Sequence, residues 1–370
     1  MKSTRFLALG VAVAASVSLL AAAAERVSIH EWDVPTAKSF PHDPAVGPDG
    51  SLWYTGMMSN TLGRLDPTTG KMKEHPLKTP DSGPHGLTAD KEGNIWFTAN
   101  YKGYIGKLNQ QTSEVTEYPM PDPAAGDPHS LVFDNRGILW FTVQMGNFVG
   151  RLDPRTGTIT LKPSPSIDSR PYGIVVSFKG VPFFCEFGTN KIASIDPQTM
   201  KITEYQLPKG ARPRRLAITH DDMIYYTDFS RGYLGRLDSK SSKVDEWPSP
   251  GGPGSGPYGI TVTADGVVWY TESGVIPNTI VRFDPVLKQF TKWAVPSGGG
   301  VIRNMAATTR GDVYIACSGV NKVGIIRIER LFPLRGICNG PIGVQRDPSN
   351  CIKTRFISAF CDKMKSEGLL

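Results

Sequence analysis

Short runs of alternating apolar and polar residues recur along most of the chain, as in the segment TITLK that begins at Thr158. Glycine, proline and Asp-Gly turns separate these runs, and the chain holds 39 glycines and 30 prolines. A period of two is typical of strands that bury one face, and such turns join neighbouring antiparallel strands. The pattern therefore predicts an all-β fold made of many short strands.

The runs are grouped into seven copies of one repeat, which are spaced 42 to 45 residues apart. Each copy begins with a turn and an apolar strand, as in PHGLTADKEGNIWFTA, and holds four short runs in total. The copies open at Pro41, Pro84, Pro128, Pro171, Pro213, Pro257 and Ile302. Because four short antiparallel strands make one propeller blade, the repeat predicts a seven-bladed β-propeller over residues 25–330.

Two further features support this register of the repeat. One large aromatic residue lies eleven positions after the second residue of every copy, where blade-on-blade packing requires bulk. These residues are Trp53, Trp96, Trp140, Phe183, Tyr225, Trp269 and Tyr314. The seventh copy lacks its outermost run, and the segment VSIHEWDVP over residues 27–35 matches the missing piece. We therefore expect this N-terminal strand to close the ring, which removes an open sheet edge.

The two ends of the chain lie outside the repeat. A basic start and an apolar run that ends in four alanines predict a secretory signal peptide over residues 1–24, and hence a periplasmic or secreted protein. Residues 331–370 form a non-repeat tail, in which an apolar stripe predicts a short helix. Two cysteines of this tail, Cys338 and Cys351, are spaced to close a small disulfide loop, although five cysteines allow other pairings.

Composition and charge exclude several classes of partner. The 370 residues are 39% hydrophobic and 20% charged, which is typical of a soluble globular chain. The net charge of +7 is spread along the chain without clusters, so the sequence predicts no nucleic-acid-binding face. No second apolar stretch is long enough to span a bilayer. We expect a monomer that binds a small molecule or peptide in the central funnel of the propeller.

Two positions of the repeat are predicted to face that funnel. The residue after the opening position starts the innermost strand, and we call this set the inner ring: His42, His85, His129, Tyr172, Arg214, Tyr258 and Arg303. The residue fourteen positions later ends the second strand, and we call this set the strand-end ring: Gly56, Ala99, Val143, Glu186, Asp228, Glu272 and Cys317. Imidazoles therefore lie on blades one to three, and carboxylates lie on blades four to six.

The repeat resembles that of the streptogramin B lyase family in its segments PYGI, VWYTE, VGRLDP and VTEYPMP, and the resemblance covers roughly residues 27–330. It implies the opening of a cyclic depsipeptide lactone by elimination, with a histidine base and Mg²⁺ or another divalent cation held partly by glutamate. The family places histidines in the inner ring of the last two blades and a glutamate in the strand-end ring of the final blade. The matching residues here are Tyr258, Arg303 and Cys317. Streptogramin itself is therefore the least expected substrate.

Two interpretations of the rings remain open. In the first, His129 or His85 abstracts a proton, and Asp127 orients the His129 imidazole. A divalent cation is then held by the carboxylates Glu186, Glu272 and Asp228. The inner-ring residues that bind the substrate are His42, Tyr172, Arg214, Tyr258 and Arg303.

In the second interpretation, the same side chains satisfy one another within each blade. Arg214 forms an ion pair with Asp228, and each inner-ring tyrosine of blades four and six is hydrogen-bonded to the glutamate of its own blade. The rings then line a wet channel without chemistry.

Three functions follow from the sequence. The first is a metal-assisted carbon–oxygen lyase or lactone-opening enzyme that acts on a cyclic ester or another small molecule. The second is a non-catalytic propeller that binds a small molecule or peptide in its funnel. The third is a protein-interaction scaffold, which is a common role of propellers without a recognisable site.

Overall fold

A computed structural model describes residues 24–331 of the chain. Residues 27–329 form one compact unit. The predicted signal peptide, the tail helix and the Cys338–Cys351 loop lie outside the described residues. Within residues 24–331, no helix is long and apolar enough to cross a membrane.

The described chain forms seven four-stranded sheets, each of which is one blade. Blade one contains β2 (Pro41–Val46), β3 (Leu52–Gly56), β4 (Thr61–Leu65) and β5 (Met72–Pro76). Blade two contains β6 (Pro84–Ala89), β7 (Ile95–Ala99), β8 (Tyr104–Leu108) and β9 (Val115–Pro119). Blade three contains β10 (Pro128–Phe133), β11 (Leu139–Val143), β12 (Phe148–Asp153) and β13 (Thr158–Pro163).

The remaining blades follow the same plan. Blade four contains β14 (Pro171–Val176), β15 (Pro182–Glu186), β16 (Lys191–Ile195) and β17 (Ile202–Gln206). Blade five contains β18 (Pro213–Ile218), β19 (Ile224–Asp228), β20 (Tyr233–Asp238) and β21 (Lys243–Pro248). Blade six contains β22 (Pro257–Val262), β23 (Val268–Glu272), β24 (Thr279–Asp284) and β25 (Gln289–Ala294). Short 3₁₀ helices occur at Pro123–Ala125 and Ser318–Val320.

Blade seven is built from both ends of the described chain. It contains β26 (Ile302–Ala307), β27 (Val313–Cys317) and β28 (Lys322–Leu331), with β1 (Ala24–Asp33) as its outermost strand. The junction is held by a hydrogen bond from the Val34 N–H to the Asn321 carbonyl oxygen (3.0 Å) and by an ion pair between Lys322 and Asp33 (2.5 Å). The predicted seven-bladed propeller, closed by its N-terminal strand, is confirmed.

Apolar side chains fill the spaces between neighbouring blades. The aromatic residue predicted for every second strand is buried in all seven blades, with at most 5% of its surface exposed. Trp53 of blade one, for example, shares a core cluster with Leu87 and Phe97 of blade two. These aromatic residues are therefore structural, as the repeat predicts.

A second contact between blades is made by buried threonines of the second strands, which we call the threonine latch: Thr55, Thr98, Thr142, Thr227 and Thr271. The Thr98 hydroxyl donates to the carbonyl oxygen of His129 in the next blade (2.8 Å) and accepts from the N–H of Gly86 in its own blade (2.8 Å). The other four hydroxyls reach the next innermost strand at 2.6 to 3.0 Å. Each threonine thus ties two innermost strands together at the channel.

We expect Thr98→Val to lower the free energy of unfolding by about 1–3 kcal/mol, because it leaves the Gly86 N–H and the His129 carbonyl buried without their partner. Thr98→Ser keeps the hydroxyl and is the matched control, which should lose less stability. Equilibrium urea denaturation of both variants measures the difference. Equal stability of the valine variant and the parent would show that the latch does not hold the blades.

Candidate functional site

The innermost strand of every blade starts with a β-bulge. In blade two the pairing of β6 with β7 joins Pro84 to Ala99 and resumes only at Leu87, and the other six innermost strands show the same shift. Two consecutive residues of each blade, such as His85 and Gly86, therefore leave the regular ladder at the channel. The inner ring is the first of these two residues, and the second forms a further layer of the hub.

Four members of the inner ring form a tilted stack, in which successive ring planes are inclined by 44 to 48°. The ring centroids of His42 and His85 lie 3.8 Å apart, those of His85 and His129 lie 3.9 Å apart, and Tyr172 follows His129 at 3.9 Å. At most 5% of each side chain is exposed. The structure therefore brings the two predicted bases together, but it buries both imidazoles and places each of them between two neighbouring rings.

Burial lowers the pKa of all three histidines. For His42 it outweighs the hydrogen bond to Asp43, which acts in the opposite direction. For His85 and His129 burial and the neighbouring imidazole hold the pKa well below the ordinary value of 6.5. All three rings are thus neutral near pH 7. Since a general base is most effective with a pKa near the working pH, the hub does not prepare His85 or His129 for that role.

Tyr172 and Tyr258 join across the inner ring. Their hydroxyls are hydrogen-bonded to each other, and at most 5% of each side chain is exposed. The predicted bonds from these tyrosines to Glu186 and Glu272 are wrong, because the two hydroxyls are bonded to one another instead.

Arg214 stands between these tyrosines in ring order and is enclosed by aromatic rings. Its guanidinium carbon lies 3.7 Å from the centroid of Phe187, 4.5 Å from that of Phe229, and 5.0 Å from those of both tyrosines. Its Nε is buried without a hydrogen-bond partner. No carboxylate within residues 24–331 forms an ion pair with Arg214, since Asp228 binds Arg231 instead. The predicted Arg214–Asp228 ion pair is wrong.

Arg303 completes this end of the channel. Its guanidinium carbon lies 4.9 Å from the Phe40 centroid, and its Nη1 donates to the Ser318 hydroxyl (2.7 Å). Like Arg214, it has no acidic partner in the described part of the chain. Arg214 with Phe187 and Phe229, and Arg303 with Phe40, are thus two groups of half-buried cations beside aromatic rings. We call these residues the mouth cluster: Arg214, Arg303, Phe40, Phe187 and Phe229.

A polar network lies in the hub next to the inner ring, and the sequence did not predict it. Arg215 Nη2 donates to both carboxylate oxygens of Asp43 (2.9 and 3.1 Å), and its Nη1 donates to the Ser130 hydroxyl (2.9 Å). Asp43 also contacts His42 Nδ1 (2.9 Å) and accepts from the Asn304 amide (2.9 Å). We call Asp43, Ser130, Arg215 and Asn304 the hub network.

The hub network follows an alternation around the ring. The residue after the inner ring is glycine in blades two, four and six, where a Cβ would lie 2.5 to 3.0 Å from the backbone of the next blade. Blades one, three, five and seven carry the four network side chains instead. Because seven is odd, two of them are neighbours, and these two, Asn304 and Asp43, are hydrogen-bonded. The sequence does contain a signal for this network. Blades two, four and six have glycine at the third position of the repeat, as in P-H/Y-G, whereas the other four blades have a polar or charged residue there.

The carboxylates of the strand-end ring turn away from the hub and bind the loops that lead into their own blades. Glu186 accepts from the Ser164 hydroxyl. Glu272 accepts from the Gly251 N–H (2.6 Å), and Asp228 accepts from the Arg212 N–H (2.9 Å). These contacts hold each incoming loop against the end of the second strand.

Asp127 and the buried cysteines also have local roles. Asp127 accepts from the N–H groups of Met145 (2.6 Å) and Gly146 (3.0 Å), whereas His129 Nδ1 contacts the Ser130 hydroxyl (3.0 Å). The prediction that Asp127 orients His129 is therefore wrong. Cys185 and Cys317 are free thiols with no exposed surface, and burial raises the pKa of each.

The family model of the virginiamycin B lyases matches this chain over residues 17–186 and again over residues 164–359. The chain belongs to the virginiamycin B lyase family. This agrees with the resemblance of its repeats and with the sevenfold ring of blades.

Solved structures of the virginiamycin B lyase type share the fold. A streptogramin B lyase is 27% identical, with a TM-score of 0.75, and the match covers 82% of this chain and 98% of that one. A selenomethionine-substituted virginiamycin B lyase from Staphylococcus aureus is 24% identical, with a TM-score of 0.73 and coverage of 81% and 99%. A catalytically inactive form from the same organism with quinupristin is 23% identical, with a TM-score of 0.74 and the same coverage. No curated protein matches this chain.

The described residues do not fit the magnesium ion that the virginiamycin B lyase resemblance implies. Mg²⁺ requires oxygen donors in near-octahedral order, whereas the strand-end carboxylates each bind donors of their own loops. Within residues 24–331, the only three-donor cluster is His42, Asp43 and His85. Two imidazoles suit transition metals rather than Mg²⁺, and Arg215, His42 and Asn304 already occupy both oxygens of Asp43.

Glu186 makes the stability of this virginiamycin B lyase homologue depend on pH. Burial raises its pKa to about 7 from an ordinary value of 4.5, with the Ser164 hydrogen bond acting in the opposite direction. Between these pH values the folded state keeps a proton that the unfolded state releases, so stability falls as the pH rises. Relative to Glu186→Gln, we expect the parent to lose on the order of 1–3 kcal/mol between pH 4.5 and 7.5.

Urea denaturation of both proteins at several pH values measures this difference. The Glu186→Gln variant is the reference, because it keeps the shape of the side chain and cannot ionise. Parallel pH profiles of the two proteins would contradict a raised pKa at Glu186.

Proposed function

We propose that this member of the virginiamycin B lyase family is an exported binding protein that holds a small aromatic anion at the mouth cluster. Arg214 is the observation that carries this proposal. It is a half-buried cation inside an aromatic cage, and no acidic side chain within residues 24–331 pairs with it.

A bound anion would supply the opposite charge that Arg214 lacks within residues 24–331. Taking a guanidinium out of water is unfavourable unless hydrogen bonds and an opposite charge replace the solvent. Contacts with ring faces offset part of that cost, at about 0.5–2 kcal/mol each, but they accept no hydrogen bond from the buried Nε. A carboxylate or phosphate beside the half-buried Arg214 side chain supplies the opposite charge and can accept hydrogen bonds from its guanidinium.

The aromatic members of the mouth cluster favour a ligand with a flat apolar body. Phe40, Phe187 and Phe229 are each half-buried and therefore keep part of their surface available. Aromatic ligands stack on or pack against such rings at centroid distances of about 4.5–7 Å. The stacked, neutral histidines and the tyrosine pair close the channel below, which supports capture at the surface rather than passage into the hub.

Isothermal titration with benzoate and with benzamide tests the proposal, since the two probes differ mainly in charge. We expect saturable binding of benzoate and at least tenfold weaker binding of benzamide, a difference of about 1.4 kcal/mol or more. Arg214→Gln should weaken benzoate binding by at least the same factor, because it removes the unpaired cation.

Arg155→Gln is the matched control for the loss of one positive charge. The Arg155 side chain is 78% exposed and pairs with Asp153 away from the mouth cluster, so benzoate binding should be unchanged. Equal weakening in both variants would indicate general electrostatic attraction. Unchanged binding in Arg214→Gln would overturn the proposal.

A carbon–oxygen lyase is the second candidate function, and the similarity to a streptogramin B lyase over nearly its whole length favours it. The geometry supports it less well. The predicted bases pack against neighbouring rings, and burial holds their pKa below the range that suits a general base. The positions to which the family resemblance assigns catalysis hold Tyr258, Arg303 and Cys317.

We expect no ring opening when the purified protein is incubated with quinupristin and Mg²⁺. The cyclic ester should keep its chromatographic retention time, because the hub offers no accessible base beside a metal site. Liquid chromatography measures this, and an authentic streptogramin lyase is the positive control. A linear product that forms with Mg²⁺ and disappears in His129→Ala would replace the binding proposal by the lyase.

A further inference from the structure

A cleft lies between blades seven, one and two, on the face of the propeller opposite to the mouth cluster. Three turns that join first to second strands line it, at residues 46–51, 89–91 and 307–312, together with the turn at residues 66–68. We call the space between these turns the closure cleft. Its volume is about 890 Å³, and small-molecule sites measure about 300–1,000 Å³. Inner-ring residues start the innermost strands at the other end, and none of them lines the cleft.

We propose that the closure cleft is a second binding site, for a neutral saccharide. This site is independent of the proposed function at the mouth cluster, because the two share no residue and lie on opposite faces of the propeller.

The formal charges of the closure cleft cancel. Four carboxylates line it, and these are Asp49, Asp66, Asp90 and Asp312. Four cations line it as well, and these are Arg64, Lys91, Arg310 and Arg327. A charged ligand is attracted by one set and repelled by the other, while it loses part of its hydration. The cleft therefore favours a ligand without net charge.

The cations of the closure cleft keep many hydrogen-bond donors free. Lys91 and Arg310 are exposed, and within residues 24–331 neither side chain forms a hydrogen bond or an ion pair. Arg64 and Arg327 each donate from only one nitrogen of the guanidinium. Because these groups reach solvent, a ligand in the cleft can accept hydrogen bonds from them.

The carboxylates of the closure cleft are more fully bound. Asp66 accepts from the N–H of Thr68 (2.8 Å), and Asp90 accepts from Trp96 Nε1 (2.8 Å). Asp312 accepts one long hydrogen bond (3.4 Å) and keeps capacity for a ligand hydroxyl. Free donors therefore outnumber free acceptors although the charge is balanced. A saccharide matches this combination, since each of its hydroxyls accepts as well as donates and carries no charge.

Apolar surface lies between the charged groups of the closure cleft. Pro48 is exposed, and Pro67, Ala89 and Ala307 are half-buried, so all four keep surface that a ligand can cover. The C–H groups on the face of a sugar ring can pack against such surface while the hydroxyls at its edge meet the polar side chains.

Asp49 is the most firmly held polar group of the closure cleft. It accepts from the Ser51 N–H (3.0 Å), the Ser51 hydroxyl (2.6 Å) and Arg64 Nη2 (2.5 Å). This arrangement depends on Gly47, where a Cβ would lie 2.5 Å from Ser51 Oγ and 2.8 Å from Asp49 Oδ1. The other six blades have aspartate, serine or threonine at this position of the repeat. Blade one thus differs from the others at the wall of the cleft, and its polar groups are ordered before a ligand binds.

Saturation-transfer NMR followed by isothermal titration tests the proposal with a panel of trisaccharides. Maltotriose, cellotriose and triacetylchitotriose are neutral, trigalacturonate is anionic, and deacetylated chitotriose is cationic. We expect saturable binding of at least one neutral trisaccharide, at least tenfold tighter than either charged one. Trigalacturonate is measured in the Arg214→Gln protein, so that the mouth cluster does not contribute.

Arg310→Ala removes an exposed donor group without breaking an ion pair. It should weaken the neutral trisaccharide about fivefold or more, because hydrogen bonds from the guanidinium are lost. Arg155→Ala is the control, since it removes an exposed arginine of blade three outside the cleft and should leave the affinity unchanged.

Gly47→Ala displaces the side chains of Asp49 and Ser51 without changing a charge. The atoms that must move are the ends of side chains, so we expect the fold to be kept and the affinity to fall about tenfold. Gly254→Ala adds the same methyl group where no described atom lies within 4 Å, and it should bind like the parent. Circular dichroism and thermal unfolding establish that each variant is folded.

Three outcomes would overturn the proposal: no saturable binding of any neutral trisaccharide, equal or tighter binding of a charged one, or unchanged affinity in either folded variant of the cleft. Failure here is distinguishable from failure at the mouth cluster, because Arg214→Gln should affect benzoate alone and Gly47→Ala should affect the saccharide alone.

Discussion

The hydroxyl of a buried threonine, shared by two innermost strands, determines how closely the blades approach the channel axis. Thr98 links the bulge of blade two to the inner-ring carbonyl of blade three, and three other blades repeat the contact. Thr271 of blade six binds the carbonyl of Ile302, one residue before the inner ring of blade seven. With the strands held at this distance, the hub is too narrow for a side chain on every blade. Glycine therefore alternates with the hub network, and His42, His85 and His129 have room only as a stack.

This narrow hub explains where binding can take place. Its charges are already matched, since Arg215 pairs with Asp43 and the buried imidazoles are neutral. Two of the three positions to which the family resemblance assigns catalysis have structural contacts in this chain. Tyr258 is bonded to Tyr172, and Cys317 lies in a core cluster. The groups of the inner ring that stay unmatched by charge are the two arginines of the mouth cluster, Arg214 and Arg303, beside aromatic rings.

The sequence predicted the architecture well, because the same pattern of apolar and turn residues recurs in all seven blades. The number of blades, the buried aromatic residue at Trp53 and its equivalents, and the closing strand all follow from period and register. The pairings within the hub did not follow. Arg214 and Asp228 are close in the repeat, yet the strand-end carboxylate points to its incoming loop and binds Arg231. Contacts such as Asp43 with Arg215 join residues 172 positions apart across the channel, and no local pattern reveals them.

The way blade seven is assembled also determines when the ring of blades can close. Its outer strand β1 lies near the start of the chain, and the partner strand β28 begins 289 residues after Asp33. At a synthesis rate of about 5–20 residues per second, β1 waits on the order of 15–60 s on the ribosome before its neighbour exists. The first six blades can form during that time, but the ring stays open. Closure of the ring therefore needs both ends of the propeller, because β1 can pair with β28 only after β28 has been synthesised.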